Sequence, residues 1–162
     1  MPRSLSLLLT FALLGFGGCA VKEPLLSVAD DAKGCPLTVS QMETSITEAA
    51  REKGWSVKSV ATGSLQARYG ESFRMAKVAI THTADHYEIG YLDSFALWYD
   101  GSRIDRHYNR WVGDLHGAIT RSVETMCVDV QQRIAKALAE RGEEVDLPVM
   151  EEAVPSELQI IR

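Results

Sequence analysis

The sequence lacks the short motifs by which many enzymes are identified. It contains no Gly-x-Ser-x-Gly, no glycine-rich phosphate loop, no His-Glu-x-x-His and no Cys-x-x-Cys. Basic residues form no stripe, and 22 acidic residues outnumber 17 basic ones, which argues against a nucleic-acid-binding surface. We therefore expect a protein that is not an enzyme, holds no cofactor or metal and binds no nucleic acid.

A long apolar run is also missing. The apolar stretch of residues 5–16 is too short for a membrane span, which needs about 20 residues. It follows Arg3 and ends in Phe-Gly-Gly-Cys, so it has the parts of an export signal. We predict that residues 1–18 are a lipoprotein signal peptide and that Cys19 is lipidated, with ordinary cleavage after Ala20 as the alternative.

Lipidation would fix the location of the protein. Several acyl chains make anchoring effectively permanent, because each buried methylene adds about 0.8 kcal/mol. By analogy with other lipoproteins, Ala20 instead of Asp after Cys19 favours the periplasmic face of the outer membrane, with the inner membrane as the alternative. The membrane is thus the first expected partner, and an envelope protein is a further one.

The remaining chain divides into three parts. Residues 19–37 show no hydrophobic period and are interpreted as a tether, and residues 38–141 as one domain of ordinary size. Residues 142–162 are interpreted as an acidic, mostly disordered tail, because they offer too little apolar surface to offset the entropy of ordering. The acidic residues of this tail are Glu143, Glu144, Asp146, Glu151, Glu152 and Glu157.

Within the domain, the pattern predicts an α+β fold. Thr38 with Gln41, or Ser40 with Glu43, gives a capping box, and Gly54 ends the helix that follows. Alternating segments then predict a four-stranded antiparallel meander with one buried face. The marking residues are Trp55 to Val60 for the first strand, then Leu65, Ala67 and Tyr69, then Ala76, Val78 and Ile80, and finally Tyr87, Ile89 and Tyr91.

A long C-terminal helix completes the predicted two-layer fold. Ser102 with Asp105 is a plausible cap, and apolar residues recur at helical spacing from Tyr108 to Leu138. A single helix of this length would outrun the sheet. We expect either a bend or break within residues 127–129 or an overhanging end.

Cysteine is scarce, with only three residues in the chain. Cys35 and Cys127 lie at helix positions that become neighbours if the two helices run antiparallel. Export to an oxidising compartment makes the pair a disulfide candidate, with two free thiols as the alternative.

A cluster of residues before and within the last helix carries a resemblance. The pattern is Gly-Trp, Tyr-x-x-Ser, Leu-x-Tyr and then Tyr-Asn-x-Trp, and it resembles small Gram-negative lipoproteins of unknown function. Departures are Ala96, where that group often has Asn, and Asp105 in place of His. The resemblance implies an envelope location and an α+β fold, and no activity. The matching positions are Gly54, Trp55, Tyr91, Ser94, Leu97, Tyr99, Ile104, Tyr108, Asn109, Trp111 and Leu115.

Five aromatic residues gather between the last strand and the last helix. Their spacing fits a packed corner of the core, which small domains favour. It also fits a surface that grips a partner, because Tyr and Trp combine apolar area with a hydrogen-bonding group. The candidate partner-binding residues are Phe95, Trp98, Tyr99, Tyr108 and Trp111.

The four histidines could suggest a metal, but their spacing does not bring ligands together. His82 and His86 flank a turn, and His107 and His116 fall on different faces of a helix. We interpret them as separate imidazoles.

The preferred function is a membrane-anchored, non-catalytic module that binds or supports another envelope component. A small-ligand carrier would instead need a cavity lined by Tyr69, Ile80 and Ile89. A hydrolase would need Ser94 and His107 within hydrogen-bond reach.

Overall fold

The fold is taken from a computed structural model that describes residues 21–32 and 34–141. The predictions for the signal peptide at residues 1–18, for Cys19 and for the tail at residues 142–162 lie outside the described residues. The elements follow one another as β1 (Lys22–Pro24), β2 (Val28–Asp31), α1 (Val39–Glu52), β3 (Ser56–Ala61), β4 (Ser64–Glu71), β5 (Arg74–His82), β6 (His86–Phe95), β7 (Arg103–Asp105) and α2 (Arg106–Glu140).

Local sequence signals account for both ends of α1. The Thr38 hydroxyl accepts from the Gln41 N–H at 3.2 Å, and the Gln41 side chain accepts from the Thr38 N–H at 2.8 Å, which completes a capping box. At the other end Gly54 has a φ of +79°, and the Trp55 N–H donates to the Ala50 carbonyl at 2.9 Å. The buried Trp55 then starts the sheet.

The α+β class and the four-stranded meander are found as predicted, but the sheet has a fifth strand. Its order is β2-β6-β5-β4-β3, with every pair antiparallel. Alternate residues of β4, β5 and β6 are buried beneath α1 and α2, which pack against each other on one face. Three aromatic pairs join α2 to the sheet, namely Tyr69 with Trp111, Tyr91 with Tyr108 and Tyr87 with His116.

The α2 helix resolves the alternatives left for its length. It runs as one α-helix of 35 residues, about 52 Å, without a break at residues 127–129. Its buried stripe ends at Val130, and the following residues are half-buried or exposed. The excess length therefore forms an overhanging end.

The predicted tether is corrected for residues 22–31. In this segment β1 pairs with β7, and β2 adds to the edge of the sheet beside β6. Asn109 fixes the link between the two strands, since its Oδ1 accepts from the Leu26 N–H at 3.0 Å and its Nδ2 donates to the Pro24 carbonyl at 2.8 Å. The folded part of the chain consequently begins at Lys22, sixteen residues before Thr38.

Cys35 and Cys127 are joined by a disulfide, the pair that the sequence suggested. Their Cα atoms are 5.5 Å apart across 92 residues of sequence. The bond ties the segment before α1 to the second half of α2.

Candidate functional site

The five candidate aromatic residues divide between the core and the surface. Tyr108 and Trp111 are buried on the inner face of α2, so they do not line a surface, and their predicted role in binding a partner is corrected to packing. Tyr99 is half-buried, stacks against Tyr91 with ring centroids 4.3 Å apart, and donates to the Gly101 carbonyl. This division follows from helical periodicity, which places positions 108 and 111 on the face that covers the sheet.

Phe95 and Trp98 remain on the surface, with 64% and 49% of their area exposed. A third aromatic residue, Phe73, is 61% exposed in the two-residue turn between β4 and β5. We call Phe73, Phe95 and Trp98 the aromatic patch. Three exposed aromatic side chains at one end of a small domain form the kind of feature that marks an interaction surface.

Arg74 connects the members of the aromatic patch. Its guanidinium carbon lies 4.9 Å from the centroid of the Phe73 ring and 6.0 Å from that of Trp98, both within the range of a cation–π contact. Beside it lies an open groove of about 520 Å³, whose lining includes Arg68, Phe73 and Phe95. The groove therefore combines aromatic faces with two guanidinium groups.

Left-handed backbone conformations occur in both turns that carry the aromatic patch. Such conformations cost non-glycine residues about 1 to 3 kcal/mol each and cluster at functional sites. In the second turn they flank Leu97, which is fully buried and whose carbonyl accepts from the Asp105 N–H at 2.9 Å. Because the Leu97 side chain points into the core, the side chain of the next residue, Trp98, faces the solvent. The non-glycine residues with positive φ are Ser72 at 58°, Ala96 at 53° and Trp98 at 47°.

A polar cluster, separate from the aromatic patch, lies at the start of α2. Asp105 is buried, and its carboxylate accepts from the His107 N–H at 2.9 Å and from His107 Nδ1 at 2.5 Å. Burial raises the pKa of Asp105, but the hydrogen bonds from His107 and the positive charges of His107 and Arg74 outweigh it and hold this pKa below its ordinary value. The carboxylate is therefore kept ionised at the helix N-terminus, where a negative charge is stabilising.

Arg106 and Arg110 lie beside this cluster on the outer face of α2. Together with His107 and Glu23 they line an open groove of about 490 Å³. Neither arginine has a carboxylate within 4.0 Å among residues 21–32 and 34–141. The groove therefore holds two arginines and one carboxylate, which give it a net positive charge next to β1.

The four histidines have separate environments. His86 Nδ1 lies 2.7 Å from Asp31, and His116 Nδ1 lies 2.8 Å from the Tyr87 hydroxyl. His107 bonds to Asp105, as described above, and His82 is buried 3.7 Å from Glu43. Within the described part of the chain, no group of three or more His, Cys, Asp or Glu side chains could hold a metal ion.

The residues proposed for a ligand cavity or a hydrolase have other contacts. Ile80 and Ile89 are fully buried, and Tyr69 packs between the rings of Trp55 and Trp111. These three side chains therefore belong to the packing between the helices and the sheet.

The hydrolase candidates are likewise engaged elsewhere. The Ser94 hydroxyl lies 3.0 Å from the Tyr91 hydroxyl, and the His107 ring bonds to Asp105 rather than to Ser94.

Sequence reasoning did not find Phe73 and Arg74. A signal was present, since Ser72-Phe73 stands between two alternating segments at a position where turns favour Gly, Asn or Asp. A two-residue turn projects beyond the ends of its strands, and Phe73 at this position is exposed to solvent.

No known protein-family model, curated protein or solved structure matches this chain. None of the helices within the described residues is both long enough and apolar enough to cross a bilayer.

Proposed function

We propose that the protein is a lipid-anchored, non-catalytic module of the cell envelope that binds another envelope component through the aromatic patch. The export signal that ends at Cys19 supports the anchor. The resemblance to small Gram-negative lipoproteins supports the location, which we assign to the periplasmic face of the outer membrane. The absence of catalytic motifs from the sequence makes a binding role the simpler proposal.

The observation that carries the binding role is the exposure of Phe73, Phe95 and Trp98 on turns with left-handed backbone. An exposed phenyl or indole group forfeits the free energy of burial, roughly 2 kcal/mol or more per side chain. The strained turn at Trp98 adds to that cost. A partner that covers the aromatic patch would recover the free energy of burying these side chains.

Metabolic labelling tests the anchor. Radiolabelled palmitate should enter the wild-type chain and should not enter a Cys19→Ala variant, because the proposed acylation of the sulfur and the new amine requires Cys19. Label that enters the variant equally, or fails to enter the wild type, would contradict the anchor.

Oxidative footprinting tests whether the aromatic patch is covered in the envelope. The protein is labelled by hydroxyl radicals in intact membranes and again after detergent extraction, and oxidation is read by mass spectrometry. We expect Phe95 and Trp98 to be protected in membranes and labelled after extraction. Val128, which is 45% exposed on the far part of α2, should be labelled equally in both and serves as the control. Equal labelling of Trp98 in both conditions would contradict a covered patch.

A further inference from the structure

The anchor is attached almost directly to the folded domain. The Val21 carbonyl accepts a hydrogen bond from the Arg106 N–H at 3.1 Å, and β1 begins at the next residue. Cys19 precedes Val21 by two residues, which span at most about 7 Å even when fully extended. The end of the domain that contains β1 therefore lies within about 7 Å of the proposed acylation site, by the length of the chain between them.

Several elements meet at this anchor end of the domain. The Leu25 N–H donates to the Ser102 carbonyl at 3.0 Å, and an Arg103 guanidinium nitrogen donates to the Lys22 carbonyl at 2.6 Å. The positive charge of Arg74 contributes to the lowered pKa of Asp105, so Arg74 lies near the start of α2. The loop of residues 96–102, the β4–β5 turn and the start of α2 thus surround the point where the chain leaves for the anchor.

Three exposed arginines lie at the anchor end. Arg103, Arg106 and Arg110 are exposed, and no carboxylate lies within 4.0 Å of any of them in the described part of the chain. Lys22 is neutralised by Asp100 at 3.0 Å.

Nearby acidic groups are mostly engaged. Glu23 accepts a hydrogen bond from Asn109 at 3.2 Å, Asp105 is buried against His107, and Glu71 stands opposite Arg74 in the strand register. The hydrogen bond from neutral Asn109 leaves Glu23 charged, so Glu23 and the three arginines together carry a net positive charge.

Resting on the proposed lipid anchor, we infer that the occupant of the aromatic patch is the membrane surface itself. Trp98, Phe95 and Phe73 enter the headgroup layer of the bilayer that holds the acyl chains, and Arg103, Arg106 and Arg110 contact its anionic phosphates. Tryptophan suits this layer because it has an apolar body and a polar N–H. Arginine suits it because its guanidinium binds phosphate in a bidentate manner. The domain then contacts the membrane through its anchor end with a fixed orientation.

Tryptophan fluorescence tests this orientation on the full lipidated chain. Of the three tryptophans, Trp55 and Trp111 are buried, so the difference between wild type and Trp98→Phe isolates the exposed indole. The protein is reconstituted into vesicles of phosphatidylethanolamine and phosphatidylglycerol, with bromine on the acyl chains close to the headgroups. We expect a blue shift of Trp98 emission and loss of most of it by quenching. Unshifted, unquenched emission from vesicle-bound protein would overturn the inference.

Charge reversal tests the arginines with a matched control. Arg106→Glu with Arg110→Glu should reduce the quenching of Trp98 severalfold. The control is Arg133→Glu with Lys136→Glu, which makes the same change of charge at exposed positions about 40 Å along α2 and should leave quenching at the wild-type level. Wild-type protein in phosphatidylcholine vesicles should resemble the first variant. Equal loss of quenching in both variants would overturn the contact by Arg106 and Arg110.

The outcomes separate this inference from the proposed function. A photo-reactive amino acid at position 95 should form lipid adducts in intact cells. A discrete protein adduct at position 95, with Trp98 unquenched, would overturn the membrane as occupant while the proposed function stands with a protein partner. Failure of palmitate labelling would instead overturn the anchor and the inference together.

Discussion

Asp105 holds two groups in place with one buried carboxylate. It accepts from the backbone of His107, which caps α2, and from the His107 ring. Because a buried charge is tolerated only when its hydrogen bonds are satisfied, the position couples the start of α2 to the turn that presents Trp98. The Asp105 N–H completes this coupling through the Leu97 carbonyl.

Replacement of Asp105 should therefore destabilise the fold in a pH-dependent manner. We expect Asp105→Asn to lower the free energy of unfolding by about 1 to 3 kcal/mol near neutral pH, because a charge-assisted bond becomes neutral. The folded-state pKa of Asp105 lies below 3.8, so the carboxylate contributes stability above pH 3.8 and loses it as the pH falls further. The difference between variant and wild type, measured by urea unfolding, should shrink below that pH.

Asp114→Asn is the matched control for this prediction. Asp114 is exposed on the same helix, and its replacement should leave the unfolding midpoint unchanged. A difference between Asp105→Asn and wild type that stays constant through acid pH would contradict the proposed role of the carboxylate.

Asn109 and the exposed aromatic residues show where residue-level prediction succeeds and fails. Asn109 was singled out as a matching position of the resemblance, and its partners, Pro24 and Leu26, lie more than 80 residues away in the predicted tether. Trp98 was expected with four other aromatic residues in one corner. Helical periodicity places Tyr108 and Trp111 in the core, whereas the exposure of Trp98 depended on the left-handed turns at Ala96 and Trp98. Sequence periodicity carries no signal for such turns.

At the scale of elements, long periodic segments were predictable and short ones were not. The helix α1 and the strands β3 to β6 follow from caps, glycines and alternation over six or more residues. By contrast, β1 and β2 have three and four residues, and their pairing comes from distant partners in β7 and β6. Thr120 adds a tertiary contact to Asp30 of β2 at 3.0 Å.

The overhanging end of α2 should be the least stable helical segment. Beyond Val130 the helix buries little apolar surface, and isolated helices of about 10 residues are marginal in water. We expect amides at 131–140 to exchange with deuterium much faster than those at 108–123, as measured by mass spectrometry of peptic peptides. Peptides of the buried α1 serve as the protected reference. Uniform protection along α2 would show that another contact covers its end.

At the scale of the whole molecule, the disulfide closes the two-layer architecture. It fixes the segment before α1 against α2 at Cys127, on the side of the domain away from the aromatic patch along α2. Three exposed arginines, Arg103, Arg106 and Arg110, lie in β7 and at the start of α2, near β1. The disulfide thus fixes the helix layer covalently.

Removal of the disulfide should lower global stability substantially. Closing a loop of 92 residues reduces the entropy of the unfolded chain, which raises the free energy of that state by about 4 to 5 kcal/mol at room temperature. We expect Cys35→Ala with Cys127→Ala to lower the free energy of unfolding by up to that amount in urea titration. Wild-type protein treated with a reductant should unfold at the same urea concentration as the variant. Detection of two free thiols in unfolded, unreduced protein would contradict the bond.

The sequence by itself determined the α+β class, the two helices, the four strands β3 to β6 and the pair of cysteines that could form a disulfide. These features rest on local chemistry, such as caps, hydrophobic periods and the number of thiols, which the linear order of residues contains in full. Only the tertiary structure decided that residues 22–31 belong to the fold and that Phe73, Phe95 and Trp98 stay exposed. Both outcomes depend on contacts between residues far apart in the chain. Such contacts produce no hydrophobic period in the sequence of either segment, so neither segment shows them when it is read alone.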